Sequence, residues 1–179
     1  QSAKKTIKTV KSGAKTYKIG IIEIPAFYAD FNAYRAGDPN YKSTTRDVKL
    51  LLDTLKTQQV DGVIIDLRSN GGGSLMEAIE LTGLFIKTGP VVQVRDRDGV
   101  EVNEDDNPGI AYSGPLGVMV DRFSASASEI FAGAIQDYGR GIIMGTQTYG
   151  KGTVQRSIPL NPEENILSEK SVEDLGTVK

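Results

Sequence analysis

The chain has 179 residues, of which 39% are hydrophobic and 25% charged, and its net charge is −2. This composition is typical of one soluble globular domain, and without a basic patch nucleic acid is not expected as a partner. Cysteine and histidine are both absent. A Ser-His-Asp triad and a Cys-His dyad are therefore excluded, and an ordinary zinc site is disfavoured. A catalytic base would have to be Lys, Asp, Glu or Tyr.

The first half of the chain predicts a hairpin, an irregular segment, a helix and a buried strand. Residues 6–10 and 17–24 flank a Ser-Gly turn and predict a β-hairpin. Residues 25–42 contain glycine, proline and asparagine, which break regular elements. A helix follows, because apolar residues recur at helical spacing at Val48, Leu51, Leu52 and Leu55. The short apolar run at residues 60–67 predicts a strand covered on both faces.

The middle of the chain predicts a second helix and a second hairpin. Ser74 and Glu77 form a capping box, S-L-M-E, at the start of the helix. The helix is predicted to end at Gly89-Pro90, because proline cannot continue it. Residues 90–94 and 100–102 then predict a hairpin around an Asp-Gly turn.

The remaining elements continue the alternation of strands and helices. Residues 103–115 predict a loop, and residues 116–121 predict a short buried strand. A third helix is predicted from Ser126 to Tyr138, with a glycine in the position that ends many helices. Residues 141–145 and 153–160 predict further strands. This order of elements favours an α/β domain with a largely parallel central sheet.

Functional sites of such sheets form where strands lead into helices. Two loops have that position, residues 68–74 (RSNGGGS) and residues 122–129 (RFSASASE). The second loop contains Ser126, which fits a capping box with Glu129, so an ordinary helix cap is one interpretation. The other is a nucleophile presented at a helix N-terminus, where developing negative charge is stabilised. Ser124 and Ser128 are chemically equivalent, and spacing alone does not choose among the three.

Lys151 lies between Gly150 and Gly152. An ordinary surface lysine is one interpretation. A buried lysine, however, has a lowered pKa, and its neutral amine can take a proton from a serine hydroxyl. Gln155 is four residues further on, and in an extended segment it would share a face with Lys151 and could orient the amine.

Three glycines, Gly71 to Gly73, precede the second helix. Their N–H groups could form an anion nest, either for a phosphate or for an oxyanion. The surrounding sequence has neither of the usual nucleotide-binding patterns, so a nucleotide-binding protein has little support.

Taken together, the three motifs resemble the carboxyl-terminal processing, or tail-specific, proteases. The motifs are DLRSNGGG (66–73), DRFSASASEIFAGAIQDYGR (121–140) and GTQTYGKGTVQ (145–155). They occur in the family's order and spacing, and the resemblance runs from about residue 17 to 155. The nearest likeness is to the long periplasmic type of Gram-negative bacteria. A non-catalytic peptide-binding module of the same fold is the alternative hypothesis.

The resemblance implies a role for each site residue. Ser126 would be the nucleophile of a serine endopeptidase, Lys151 its general base and Gln155 the support of that lysine. The N–H groups of Ala127 and, by spacing, Gly72 would form the oxyanion hole. The implied fold is a crotonase-like or Clp-peptidase-like α/β spiral with flanking hairpins. The implied substrates are proteins with apolar C-terminal tails, and no metal or cofactor is implied.

The resemblance also gives expectations about the whole protein. Residues 1–160 would be a catalytic-core fragment without the PDZ domain expected upstream, and residues 161–179 would be a polar, irregular tail. The expected location is the periplasm, although this segment contains no signal peptide. An adaptor or activating partner is a further expectation, and the oligomeric state is not predicted.

Overall fold

The structure is a computed structural model that describes residues 2–155, 158–160 and 177–178. Its strands are β1 (Lys4–Ser12), β2 (Lys15–Glu23), β3 (Gly62–Asp66), β4 (Gly89–Arg95), β5 (Val100–Asp105), β6 (Leu116–Val120), β7 (Ile142–Gly145), β8 (Ile158–Pro159) and β9 (Thr177–Val178). Its helices are α1 (Phe31–Arg35), α2 (Thr44–Thr57), α3 (Leu75–Gly83) and α4 (Ala127–Asp137).

A five-stranded sheet in the order β1-β2-β3-β6-β7 forms the centre of the fold. The edge strand β1 is antiparallel to β2, and the other neighbours are parallel. The predicted first hairpin and largely parallel sheet are therefore confirmed. β3 and β6 lie in the interior of the sheet and are almost wholly buried, as their apolar runs predict. The predicted second hairpin is also confirmed, as the separate pair β4-β5.

The helices pack on this sheet through the apolar faces that the sequence predicts. Val48, Leu52 and Leu55 of α2 are fully buried, and so is Phe131 of α4. The ring of Phe131 meets that of Phe85 edge to face, with centroids 5.8 Å apart. The helices and the sheet thus share one hydrophobic core. No helix among the described residues is long and apolar enough to cross a membrane.

α3 ends at Gly83, six residues before the predicted end at Gly89-Pro90. Tertiary hydrogen bonds explain the early end. The carbonyl of Leu84 accepts from two N–H groups of the segment before β6, and the carbonyl of Phe85 accepts from the side chain of Arg140 at 2.9 Å. Carbonyls bonded in this way do not need helical partners.

Three other expectations need correction. The irregular segment 25–42 contains the short helix α1, whose N-terminal N–H groups donate to the side chain of Asp30. Residues 153–155 form no strand, and of the predicted strand over 153–160 only Ile158–Pro159 is one; residues 156 and 157 lie outside the described residues. In the predicted irregular tail, Thr177–Val178 pairs with that strand, and the rest lies outside the described residues.

The capping box at the start of α3 forms only in part. The N–H of Glu77 donates to the hydroxyl of Ser74 at 3.3 Å. The N–H of Ser74, however, donates to the carbonyl of Phe27. The buried carboxylate of Glu77 instead accepts from Thr45 and Ser43 at the start of α2. Glu77 therefore ties two helix N-termini together instead of closing one.

Candidate active site

Two loops leave the sheet at the carboxyl ends of the adjacent parallel strands β3 and β6. The register pairs Asp66 with Met119, so both strands end at the same edge. The glycine loop, residues 68–74, follows β3, and the serine loop, residues 121–128, follows β6. The carboxyl edge of a parallel sheet is where ligand sites form in α/β proteins, and both predicted loops lie there.

Ser126 stands at the turn from the serine loop into α4 with a positive φ of +56°. A positive φ is uncommon outside glycine and costs about 1–3 kcal/mol, so the surrounding structure has to hold it. The N–H of Ser126 donates to the carboxylate of Glu129 at 2.8 Å. The N–H of Glu129 donates to the carbonyl of Ser126 at 2.8 Å, and the two residues have the predicted capping-box arrangement without a cap hydrogen bond on the Ser126 hydroxyl. The backbone of Ser126 thus makes the cap and leaves its hydroxyl for chemistry.

The other two serines of the loop are engaged in structural hydrogen bonds. Ser124 donates to the carbonyl of Leu67 at 2.8 Å, and Ser128 donates to the carbonyl of Asn70 at 2.9 Å. Both side chains are fully buried. Ser126 is half-buried and lines a cleft. The structure therefore separates three serines that spacing alone leaves equivalent, and it favours Ser126 as the reactive one.

Asn70 joins the glycine loop to the serine loop and to the sheet. Its side chain is fully buried, donates to the carbonyl of Ile24 at 2.8 Å and accepts from the N–H of Gly72 at 2.9 Å. Its own carbonyl accepts from the N–H of Ala125 at 3.0 Å and from the hydroxyl of Ser128. One residue therefore fixes both loops relative to each other, although the sequence analysis did not single it out.

The two loops are also in direct steric contact at Gly72, whose φ is +101°. A Cβ placed on Gly72 would lie 2.8 Å from the Cβ of Ser126 and 3.1 Å from the nitrogen of Ala127. Only glycine combines this φ with so close an approach. The glycine loop therefore lies against the backbone of the predicted nucleophile, Ser126.

Gly72 was expected to donate its N–H to an oxyanion, but this N–H donates to Asn70 in the structure. It would have to be shared with, or released to, a substrate oxygen. The expectation for Gly72 remains a prediction. Among the described residues, no hydrogen bond is donated by the N–H groups of Gly71, Gly73 and Ala127. These amides, including the predicted donor Ala127, are available to a ligand.

Lys151 and Gln155 come together as their spacing predicts. The amine of Lys151 donates to the side-chain oxygen of Gln155 at 3.4 Å, near the upper limit for a hydrogen bond. Lys151 is half-buried, and it lines the same cleft as Ser126. Within the described part of the chain, this is the amine's one hydrogen bond, and none links it to the hydroxyl of Ser126.

Glu129 connects the segment that carries Lys151 to the turn that carries Ser126. One carboxylate oxygen accepts from the hydroxyl of Thr148 at 2.8 Å and from the N–H of Gly150 at 2.6 Å. The other accepts from the N–H groups of Ser126 and Lys151, at 2.8 and 2.9 Å. Partial burial alone would raise the pKa of Glu129, but these four donors outweigh it and lower the pKa below its ordinary value.

A cleft of about 670 Å³ lies between the glycine loop and the segment 151–155. Its polar lining includes Ser126, Lys151 and Gln155, and its apolar lining includes Phe31, Leu75, Met76, Ile130 and Val154. A second cleft of about 680 Å³ adjoins the first, shares Ser126, Ile130 and Lys151 with it and is also lined by residues 92–96 of β4 and its turn. A serine that lines two adjoining clefts has the setting that an extended ligand requires.

Comparison with known proteins gives this arrangement a family. A family model described as peptidase family S41 matches residues 18–171. The chain belongs to peptidase family S41. The family match includes all five predicted site residues, and the resemblance stated from the three motifs is therefore confirmed.

The matching S41 relatives are named as processing proteases. The chain is 51% identical over 162 residues to a tail-specific protease of Haemophilus influenzae, covering 90% of this chain and 21% of that protein. It is 36% identical over 152 residues to carboxyl-terminal-processing peptidase 2 of Arabidopsis thaliana chloroplasts, covering 84% of this chain and 27% of that protein. The chain thus spans between a fifth and a third of the length of these two relatives.

Solved structures confirm the predicted α/β fold. The photosystem II D1 C-terminal processing protease superposes with a TM-score of 0.71 at 28% identity, over 89% of this chain and 40% of that one. Mature CPAF, solved in complex with lactacystin, superposes with a TM-score of 0.65 at 16% identity, over 88% of this chain and 43% of that one. The second likeness supports the fold alone.

The sequence analysis missed two residues that shape the site, Asn70 and the full role of Glu129. A signal existed for Glu129, since its spacing from Ser126 predicts a carboxylate near the helix N-terminus. Its contacts with Thr148, Gly150 and Lys151 could not be read from spacing, because those residues are about twenty positions away. Asn70 carried no signal beyond its place before the glycines.

Replacing Asn70 with alanine should weaken both the fold and the site. Asn70→Ala leaves the buried carbonyl of Ile24 and the N–H of Gly72 without partners, which costs roughly 2 kcal/mol of stability. We expect kcat to fall at least tenfold, because the glycine loop loses its fixed position. Thermal unfolding and peptide hydrolysis by the complete protein measure the two effects.

Asn40→Ala is the matched control for Asn70→Ala, since Asn40 is exposed and accepts from the side chain of Arg46. A folded Asn70→Ala variant with wild-type kcat would contradict this role.

Replacing Glu129 with glutamine should change the acid stability of the protein. Because the pKa of Glu129 is lowered in the folded state, its contribution is complete above the ordinary carboxyl value of about 4.3 and is lost as pH falls through the lower folded value. Glu129→Gln cannot titrate, and it offers one acceptor oxygen in place of two. We expect lower stability at pH 7 and a smaller further loss towards pH 3 than in the wild type.

Thermal unfolding between pH 7 and pH 3 checks this expectation for Glu129. The control is Glu101→Gln, because Glu101 is exposed on β5. Parallel pH profiles for Glu129→Gln and the wild type would show that the four hydrogen bonds do not hold the carboxylate in its charged form.

Proposed function

We propose that this chain is the catalytic core of a serine endopeptidase that cleaves proteins near their C-termini. The observation that carries the proposal is the arrangement of Ser126, whose hydroxyl is left unbound by the backbone cap and faces a cleft that also contains Lys151. The names of the S41 relatives supply the reaction class. The absence of histidine leaves lysine as the base within reach of the cleft.

In the proposed reaction the hydroxyl oxygen of Ser126 attacks a peptide carbonyl while the neutral amine of Lys151 takes its proton. The resulting oxyanion accepts from the N–H of Ala127 and from an amide of the glycine loop. The lysine then gives the proton to the leaving amine as the C–N bond breaks, which leaves an acyl-enzyme on Ser126. Water attacks the ester with Lys151 again as base, and the free serine is restored.

The reaction requires the amine of Lys151 to lie about 2.6–3.2 Å from the hydroxyl of Ser126. In the structure the amine donates instead to Gln155. Distances between catalytic groups are often longer without substrate and shorten in the complex. Gln155 would hold the lysine side chain on the cleft side of its segment until a substrate is bound.

The proposed substrates are unstructured, apolar C-terminal tails. The cleft beside the glycine loop is lined by five apolar side chains from four segments: Phe31, Leu75, Met76, Ile130 and Val154. Such a lining favours burial of an apolar substrate side chain. From the resemblance to the long periplasmic type of tail-specific proteases we also propose a periplasmic location, a PDZ domain before this region, and an adaptor or activating partner.

The missing hydrogen bond between Ser126 and Lys151 favours a second candidate, a peptide-binding module without turnover. A serine-directed fluorophosphonate probe separates the two, because it reacts only with an activated serine. Applied to the complete protein, it tests the proposed function without knowledge of the natural substrate.

Covalent labelling should distinguish Ser126 from its two neighbours. Ser126→Ala should abolish labelling by the fluorophosphonate. Ser124→Ala and Ser128→Ala should keep at least part of the labelling, because those hydroxyls donate to buried backbone carbonyls. Removing either hydroxyl should lower the stability of the fold by about 1 kcal/mol. Intact mass spectrometry of the labelled proteins gives the result. Labelling that survives Ser126→Ala but not Ser124→Ala would move the nucleophile by two positions.

Replacing Lys151 with arginine should abolish turnover. A guanidinium stays protonated and cannot accept a proton from serine, so we expect kcat/KM to fall about 10²–10⁴-fold. Measurements of kcat/KM at one pH for wild type, Lys151→Arg and the exposed control Lys87→Arg test the assignment. Turnover by Lys151→Arg near the wild-type rate would exclude Lys151 as the base.

A further inference from the structure

The strand β4 leaves one backbone edge without a partner among the described residues. It pairs with β5 alone, and the N–H of Asp96 donates to the carbonyl of Gly99 at the turn. Antiparallel pairs alternate between hydrogen-bonded and non-hydrogen-bonded residues. Counting from this turn, Val94 bonds to β5, while the N–H and C=O groups of Gln93 and Arg95 point away from it. A row of polar backbone groups therefore faces outward along β4.

A tyrosine just after α4 shows how β4 lies relative to that helix. The hydroxyl of Tyr138, just after α4, donates to the carbonyl of Pro90 at 2.9 Å. The edge of β4 at Pro90 is thus covered from the C-terminal end of α4. Further along β4, residues 92–96 line the cleft that contains Ser126 at the N-terminal end of the same helix. β4 therefore runs antiparallel to α4, and its outward edge leads towards the serine.

The cleft along this edge also contains the proposed base, Lys151. Its lining includes Lys151 and Ile130 in addition to Ser126 and β4. The side chains of Gln93 and Arg95 are exposed, whereas Val92 and Val94 are half-buried. Backbone donors and acceptors beside a nucleophile are what an extended peptide needs in order to add to a sheet edge.

We infer that the polypeptide substrate binds as an added β-strand along β4, with its backbone bonded to Gln93 and Arg95 and its scissile carbonyl at Ser126. This inference rests on the proposed function and adds the substrate's binding mode. Strand addition recognises the backbone, so it admits tails of different sequence. Side-chain selection is left to the pockets on either side of the strand. The bound strand would extend no further than Pro90, because the hydroxyl of Tyr138 already donates to the carbonyl of Pro90.

A pair of proline substitutions tests the edge. Proline removes the backbone N–H of its own residue. Gln93 and Val102 lie opposite each other as a non-hydrogen-bonded pair, so neither N–H is used between β4 and β5. Gln93→Pro removes a donor on the cleft edge, and Val102→Pro removes one on the opposite edge of the same hairpin. In the complete protein we expect Gln93→Pro to lower kcat/KM for peptides about tenfold or more, and Val102→Pro to leave it near wild type.

A substrate series gives a second measurement that does not depend on how the variants fold. Peptide substrates carrying a single N-methyl group, moved one residue at a time, are compared on the wild-type enzyme. Methylation removes one N–H donor, and successive N–H groups of a strand point to opposite sides. We expect kcat/KM to fall about tenfold at alternate positions and little between them. In Gln93→Pro, the penalty at the position facing residue 93 should shrink.

Failure of this inference can be told apart from failure of the proposed function. The fluorophosphonate probe has no peptide backbone, so it should label Ser126 in Gln93→Pro as in the wild type. Equal losses in Gln93→Pro and Val102→Pro, or N-methyl effects without the period of two, would overturn the strand-binding mode while labelling continues. No labelling of the wild type would overturn the proposed function itself.

Discussion

The geometry of the site depends on the buried side chain of Asn70. The glycine loop and the serine loop leave neighbouring strands, and both contain backbone groups that the sheet no longer satisfies. The side chain of Asn70 accepts from the N–H of Gly72 and donates to the carbonyl of Ile24. Its backbone carbonyl accepts from the N–H of Ala125 and the hydroxyl of Ser128 in the serine loop. Because an unpaired buried polar group costs about 1–3 kcal/mol, the two loops are held in one relative position. The distance between the proposed oxyanion donors and Ser126 follows from that position.

Glu129 adds the third segment to this framework. The backbone of Lys151 is bonded to a carboxylate on α4, and the same carboxylate bonds the N–H of Ser126. Hydrogen bonds to a charged acceptor are stronger than neutral ones. They offset the cost of the positive φ at Ser126, so the strained turn and the approach of the lysine segment are maintained together. The predicted helix cap is therefore also the link between Ser126 and Lys151.

The sequence predicts the sheet and the long helices well, because these follow from periodicity, and its motifs predict the family. It could not rank Ser124, Ser126 and Ser128, since their difference lies in the carbonyls of Leu67 and Asn70, more than fifty positions away. It placed the end of α3 too late because carbonyl partners from distant segments compete with the helix. Its assignment of Gly72 as an oxyanion donor remains a prediction, and the hydrogen bond from the same N–H to Asn70 was not part of it. The serine ranking and the end of α3 both depend on tertiary hydrogen bonds that a local pattern cannot contain.

The positions of Lys151 and of β4 suggest how a substrate could complete the site. The backbone of Lys151 is fixed by Glu129, but Gly152 to Gln155 are exposed, so water has access to the amine and to Gln155. A strand bound to Gln93 and Arg95 would lie in the cleft that contains both Lys151 and Ser126. It would exclude water from between them, and electrostatic interactions strengthen in a water-excluded site. Substrate binding would then supply the enclosure that the proposed base requires, and short ligands that do not reach β4 would leave the lysine solvated.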